Sequence, residues 1–116
     1  MLKVIGGAQE GEFKAVASGT LPNGKPVIVN ADGTVSVVGG GNLTSENYIG
    51  MSSGGAVVDT ASAKIDIIGA VNKSQSGLTS GQKYYVQTDG TIGLTAADPS
   101  VLAGTAISAT SLVVKT

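Results

Sequence analysis

The same short pattern occurs twice in this chain, and this repeat limits the possible folds more than any other feature. A leucine, a glycine, a valine and an Asp-Gly-Thr tripeptide recur after 57 positions. They are Leu21, Gly24, Val29 and 32–34 in the first copy, and Leu78, Gly81, Val86 and 89–91 in the second. Asp-Gly between two strand-like runs is a strong hairpin signal. The sequence therefore predicts an all-β fold, a compact β-barrel or sandwich built from two similar hairpin-containing halves.

Alternating apolar residues and turn signals place the strands along the chain. No long window keeps the apolar spacing of a helix, although a short helix at 44–48 is an alternative for that segment. The predicted strands cover residues 13–17, 26–30, 34–38, 47–52, 63–71, 83–88, 91–95, 102–107 and 111–115. The stretch 63–71 is the most apolar of them, and we expect it to be buried on both faces at its end.

The 116 residues fit one domain with a short extension. We expect residues 1–12 to form a flexible N-terminal arm, because their glycines and polar residues offer little to bury. That arm is either a frayed terminus or a segment that orders on a partner. Residues 13–116 are predicted to form a single β domain with internal duplication. The opening residues do not resemble a secretory signal, so we expect the protein to be made in the cytoplasm of the cell that produces it.

Missing residue types argue against several classes of function. The chain contains no cysteine and no histidine, and all seven basic residues are lysines. Thiolate and imidazole metal ligands and the usual imidazole base are therefore absent. The net charge of −1 and the lack of arginine argue against a nucleic-acid partner. No apolar run is long enough to span a membrane. We expect a protein that is not an enzyme, with no catalytic, cofactor-binding or metal-binding residues and no cofactor.

Several short motifs imitate reactive sites. Residues 19–26 nearly match a phosphate-binding loop, but Pro26 replaces the hydroxyl that would hold magnesium. Ser80 and Lys83 have the spacing of a serine–lysine pair, yet they precede a predicted strand. Asp32 and Asp89 are expected to bond their own turns. Each motif therefore fits a structural role better than a catalytic one.

Two further patterns concern carbohydrate. The Asn-x-Ser/Thr tripeptides at 42–44 and 72–74 are chance matches in the absence of a secretory signal. Tyr84 and Tyr85 could form a platform on which a sugar ring stacks. The alternative is that one ring is buried in the core and the other lies on the sheet surface.

The second half contains sequence segments that resemble those of virion structural proteins of tailed bacteriophages, including modules of tail fibres. It reads SGLTSGQKYYVQTDGT at 76–91 and SVLAGTAISAT at 100–110. The first half continues the likeness with ASGTLPNG at 17–24 and ENYIG at 46–50, so that the resemblance covers about residues 13–115. Its apolar Gly- and Ala-containing pieces are also similar to small capsid decoration proteins. The resemblance implies a non-enzymatic and often trimeric part of the particle.

The resemblance gives two functional expectations. The first is a capsid decoration (cement) protein on the outer head surface, located in the virion, that stabilises the shell. Its partners would be the major capsid protein or other virion proteins and its own copies in a homotrimer, and residues 1–12 would order on the capsid by adding a strand to a sheet edge. The alternative is a tail-fibre or receptor-binding module whose loops at 39–42 and 73–75 contact the host surface.

Overall fold

The computed structural model describes residues 12–116, and the regular structure in these residues is entirely β. The strands are β1 (Glu12–Val16), β2 (Pro26–Val29), β3 (Val35–Val37), β4 (Tyr48–Ser53), β5 (Ser62–Asp66), β6 (Val71–Asn72), β7 (Lys83–Val86), β8 (Ile92–Gly93), β9 (Leu102–Ala106) and β10 (Leu112–Val114). The prediction of an all-β fold is confirmed. Most predicted strands are present, with ends that differ from the prediction by at most two residues.

The strands form two five-stranded antiparallel sheets, one from each half of the chain. Sheet 1 has the order β1-β5-β4-β2-β3, and sheet 2 has the order β6-β10-β9-β7-β8. Each strand of sheet 1 thus has a counterpart five strands later at the same place in sheet 2. The prediction of two similar halves is therefore confirmed at the level of topology.

A β-bulge occurs at the same point in both sheets. In sheet 1, Val27 lies opposite Gly50 while Ile28 lies opposite Tyr48, so that Ile49 is the extra residue. In sheet 2 the same irregularity falls between Tyr84 and Tyr85, opposite 102–104. The strands opposite the hairpins are related by 54 positions rather than 57, because three fewer residues separate the Asp-Gly-Thr turn from β9 than separate the first such turn from β4.

The core consists of two clusters, one inside sheet 1 and one between the sheets. The first cluster contains only residues of the first half: Ala17, Leu21, Val27, Val35, Ala63 and Ile65 are its buried members. The second cluster joins both halves. It contains Ile28, Val38, Leu43, Tyr48 and Met51 from the first half and Tyr84, Val86, Val101, Ala103, Ala106, Leu112 and Val114 from the second.

The arrangement is that of a sandwich rather than a closed barrel. Within residues 12–116, strand pairing does not continue around either sheet, although Ala17, just after β1, forms one parallel bridge to Val35 of β3. The Tyr48 hydroxyl donates a 3.1 Å hydrogen bond to the Ala103 carbonyl and thereby ties the sheets together. The Lys115 ammonium also donates to the Tyr48 carbonyl at 3.1 Å.

One predicted strand is wrong. Residues 63–71 do not form a single strand, because β5 ends at Asp66 and a turn precedes β6 at Val71. Gly69 has a φ of +87° in that turn, and Ile68 is 61% exposed. The chain leaves sheet 1 and enters sheet 2 here, so the apolar run serves two strands in different sheets. The apolar and partly alternating pattern of 63–71 predicted one strand that ends buried on both faces, because a pattern does not show where the chain changes sheet.

Two smaller expectations concern local structure. Residues 45–47 form a turn and not a helix, and the Thr44 hydroxyl accepts hydrogen bonds from the Glu46 and Asn47 amides. Of the predicted arm at 1–12, residues 1–11 lie outside the described residues. Glu12 belongs to β1, where it lies opposite Asp66 and forms a 3.0 Å ion pair with Lys64.

Candidate functional site

A pocket of about 290 Å³ lies where the two halves meet, and we call it the junction pocket. Its walls come from the turn and start of β2 at residues 23–26, the linker after β6 at 74–78 and the β7–β8 hairpin at 90–92. Met51 and Tyr84 complete the lining. The pocket is therefore a product of the packing of two copies of the repeat, and neither copy contains it alone.

Side-chain hydrogen bonds between the halves fix the walls of the junction pocket. The Gln75 amide donates to the Gly24 carbonyl at 3.0 Å and to the Asn72 side-chain oxygen at 2.8 Å. The Asn23 amide donates to the Ser74 hydroxyl at 3.0 Å. The bonds to Gly24 and Ser74 connect the first wall to the second, and the bond to Asn72 fixes Gln75 within its own half, so the walls are held in place before any ligand binds.

Close backbone approaches at two glycines bring the halves together beside the pocket. A Cβ added to Gly24 would lie 2.4 Å from the Ser74 carbonyl oxygen, and one added to Gly90 would lie 2.5 Å from that of Val38. Both distances are too short for any side chain. Glycine is therefore required at these two positions for contact between the halves, in addition to the turn.

Apolar side chains form part of the pocket lining. Met51 is fully buried and Tyr84 is 6% exposed, while Leu78 and Ile92 pack partly buried against the same cluster. The Tyr84 hydroxyl accepts a 2.8 Å hydrogen bond from the Thr79 amide. Since this ring is buried, it offers no open face for a sugar to stack on. The half-buried Tyr85 lies on the opposite face of β7.

Among residues 12–116, Lys25 is the one residue lining the pocket whose side chain is fully charged at neutral pH. Within residues 12–116, Lys64 has an ion pair and Lys115 bonds a carbonyl, whereas the Lys25 ammonium has neither kind of partner. Asp89 is near enough for Lys25 to contribute to the lowering of its pKa. The Asp89 carboxylate already accepts hydrogen bonds from the Thr91 amide at 3.0 Å and hydroxyl at 2.6 Å.

The motifs with reactive spacing lie in turns and at the starts of strands. The segment 19–26 passes from an isolated bridge at Leu21 through a turn into β2 and precedes no helix. Ser80 and Lys83 are both exposed, in a turn and at the start of β7. In the described part of the chain, no group of three or more acidic side chains could hold a metal ion. No element between Glu12 and Thr116 is a helix with the length and apolarity to cross a membrane.

The two loops assigned to host contact differ in their surroundings. In the loop 39–42, the Asn42 side chain accepts from the Gly39 amide at 2.9 Å and donates to the Val37 carbonyl at 3.0 Å. In the segment 73–75, Lys73 and Ser74 are exposed and Gln75 is bonded into the junction. The first loop is thus a surface loop, and the second forms part of the pocket wall.

The sequence reasoning missed the junction pocket. One signal was present: Lys25 of the first copy is replaced by Gln82 in the second, so the cation occurs only in the copy that contributes this turn to the pocket. No signal marked Asn72, which is fully buried and bonds both halves. Comparisons of the chain with models of protein families, with curated proteins and with solved structures find no match.

Proposed function

We propose that the protein is a non-enzymatic structural component of the virion of a tailed bacteriophage, and specifically a capsid decoration protein on the outer head surface. It binds the shell as a homotrimer and stabilises it by bridging neighbouring capsid subunits. The proposal rests on the resemblance of the sequence to phage structural proteins and on the structural roles of the residues that carry this resemblance.

The observation that carries the proposal is that the residues of this resemblance have structural roles, in turns and in close contacts between strands. Asp89, Gly90 and Thr91 close the β7–β8 turn through hydrogen bonds within the turn. Gly104 sits where an added Cβ would lie 2.1 Å from the Val113 carbonyl oxygen, so it allows β9 and β10 to pair closely. A rigid module with these residues in turns and packing suits a part repeated many times on a symmetric surface.

The proposed mode of capsid binding is that residues 1–11, which lead into the edge strand of sheet 1, add a strand to a sheet of the shell. The order of the sheet places β1 at one end, next to β5. Phe13 and Val16 on β1 are 36% and 48% exposed. An edge strand can accept a further strand through its unpaired backbone groups. Residues 1–11 lead directly into this strand and are the segment proposed to contact the shell.

Co-sedimentation tests the proposal. Purified protein is mixed with capsids assembled without it and, separately, with host cells. We expect saturable binding to capsids at a fixed copy number and no binding to cells. A variant that lacks residues 1–11 should lose capsid binding, while a control variant with the surface loop 39–42 replaced should keep it. Binding to neither bait would contradict a role on the particle surface.

The second candidate is a tail-fibre or receptor-binding module. It is favoured by the likeness of residues 76–110 to tail-fibre modules and by the exposed position of the loop 39–42. This function predicts the reverse result in the same experiment. The protein would bind cells and not capsids, and replacement of 39–42 would abolish binding while removal of residues 1–11 would not.

A further inference from the structure

We propose that the junction pocket binds a small hydroxylated carboxylate of the size of one sugar acid. This binding site is independent of the proposed structural role. Its basis is the combination of a preformed cavity, one lysine with no ion-pair or hydrogen-bond partner within residues 12–116, hydroxyl-bearing residues in the walls and two partly buried aliphatic side chains.

The size of the pocket limits the ligand. Pockets for drug-sized ligands have volumes of about 300–1,000 Å³. The junction pocket, with about 290 Å³, is at the lower end of that range. Its walls are held together, because Gln75 and Asn23 form hydrogen bonds between them and Gly24 contacts Ser74 directly. A compact ligand therefore pays little for ordering of the site.

The charge of the lining selects an anion with a single negative charge. Lys25 lines the pocket, and its ammonium has no hydrogen-bond or ion-pair partner within residues 12–116. In the described part of the chain, none of the residues that line the pocket carries a carboxylate. The nearby Asp89 carboxylate keeps its negative charge, but it accepts its hydrogen bonds from the Thr91 amide and hydroxyl, so the donors of the Lys25 ammonium are left for a ligand. A charge-assisted hydrogen bond from one ammonium matches one carboxylate, whereas a phosphate dianion would need further cations.

The remaining lining matches a hydroxylated carbon skeleton. Ser74, Ser76 and Thr91 place hydroxyl-bearing residues in the walls, and Leu78 and Ile92 supply apolar surface. Hydroxyl groups can both donate and accept, which suits the hydroxyls of a sugar. The C–H face of a sugar ring can pack on the aliphatic side chains. A ligand with hydroxyl groups and an apolar face can contact both the hydroxyl-bearing and the aliphatic residues of the pocket.

The repeat provides an internal comparison. Gly81, the counterpart of Gly24, has nothing within 4 Å of an added Cβ, so its turn meets no second wall. Gln82 and Ser80 of that turn are exposed. Where the turn forms a pocket wall it carries Lys25, and where it faces solvent it carries a neutral glutamine. A lysine at this position of the turn therefore occurs only in the copy whose turn forms a pocket wall.

Titration followed by two-dimensional amide NMR tests the inference, with D-glucuronate as the probe. We expect saturable shifts at Lys25, Ser76 and Thr91. D-glucose, which lacks the carboxylate, should bind at least about tenfold more weakly, because one charge-assisted hydrogen bond is lost. Inorganic phosphate should also bind more weakly, because it has no apolar surface to pack against Leu78 and Ile92.

Matched lysine variants complete the experiment. Lys25→Gln introduces the residue of the second copy and should weaken glucuronate binding about tenfold, with a well-dispersed spectrum as evidence of folding. Lys83→Gln removes an exposed lysine on β7 outside the pocket and should leave binding unchanged. The inference is overturned by the absence of saturable shifts, by equal binding of glucose or phosphate, or by equal losses in the two variants.

Discussion

Asp32 and Asp89 show how closely single residues repeat their roles in the two halves. In both turns, the Asp carboxylate accepts hydrogen bonds from the amide and the hydroxyl of the threonine two residues later, with hydroxyl distances of 2.6 Å. The hydroxyl bond is the main cause that lowers the pKa of each Asp from its ordinary value of 3.8. The sequence predicted these turns because Asp-Gly-Thr is a local signal that needs no information about packing.

Removal of one threonine hydroxyl should separate the two carboxyl pKa values. Thr34→Val should raise the pKa of Asp32 toward 3.8 and leave that of Asp89 low. A pKa lowered by folding stabilises the native state above the unfolded pKa, and this contribution is lost as the pH falls through the folded value. NMR titration of the side-chain carboxyls between acid and neutral pH measures both. A shift of both residues, or of neither, would contradict the assignment.

Gly33 and Gly90 occupy equivalent turns but have different neighbours. Their φ angles are +86° and +89°, so both need the left-handed conformation. An alanine at Gly33 would meet nothing within 4 Å, whereas one at Gly90 would clash with the Val38 carbonyl oxygen. The sequence predicted the turn at both positions. It could not predict the contact, since this depends on how the halves pack.

Alanine at these two glycines should therefore destabilise the protein by different amounts. Gly33→Ala should cost about 1–2 kcal/mol for the left-handed backbone alone. Gly90→Ala should cost about 1–3 kcal/mol more, because the overpacked contact must move apart. Urea denaturation of the two variants beside the parent chain gives the difference in free energy of unfolding. Equal losses would show that Gly90 has no role between the halves.

The bulge in β4 decides which side chains this strand presents to sheet 2. With Ile49 as an extra residue, Tyr48 and Met51 lie opposite Ile28 and Pro26 and share a face although they are three positions apart. Simple alternation would place them on opposite faces. The strand itself could be predicted from sequence, but the bulge and hence the composition of the core could not. Burial of Tyr48 also raises the pKa of its hydroxyl.

Met51 and Thr105 are equivalent positions with opposite environments. Met51 lies opposite Pro26 and is fully buried, and Thr105 lies opposite Lys83 and is half-buried on the free face of sheet 2. Met51→Ala should reduce the free energy of unfolding by about 2–5 kcal/mol, since it opens a cavity between the sheets. Thr105→Ala should cost less than about 1 kcal/mol. Thermal or urea unfolding compares them, and similar losses would contradict the asymmetric packing.

At the scale of the whole molecule, Asn72 connects the halves where the chain passes between them. Its amide nitrogen donates to the Ser52 carbonyl and to Asp66, both at 3.0 Å. Its amide oxygen accepts from the Ser74 amide at 3.2 Å and from Gln75 at 2.8 Å. All hydrogen-bonding positions of a fully buried amide are thus used.

Replacement of Asn72 should affect both stability and the junction pocket. Asn72→Ala leaves the Ser52 carbonyl and the Gln75 amide without this partner and should cost about 1–3 kcal/mol. Amide NMR should show changes at 74–78 as well as at β6. Lys73→Ala, a change at the adjacent exposed residue, is the control. A loss below about 0.5 kcal/mol with no change at 74–78 would mean that the network does not hold the wall.

The duplication and the hairpins could be predicted from sequence, but the way the copies pack could not. The pattern is shared by both copies, whereas the packing uses different faces of the two. In the first copy Ile28 and Met51 pack toward sheet 2, and their counterparts Tyr85 and Thr105 remain half-buried. A repeat therefore reveals the unit and leaves the contacts between units undetermined. The junction pocket escaped prediction for the same reason.

The unequal composition of the two core clusters allows them to form in a fixed order during synthesis. The cluster inside sheet 1 draws all its buried members from residues 17–65, so it can close before the second half has left the ribosome. The cluster between the sheets needs Tyr48 and Met51 from the first half to cover Val86 and Leu112 of the second. Since synthesis delivers N-terminal segments first, the earlier half supplies a finished surface on which the later half assembles.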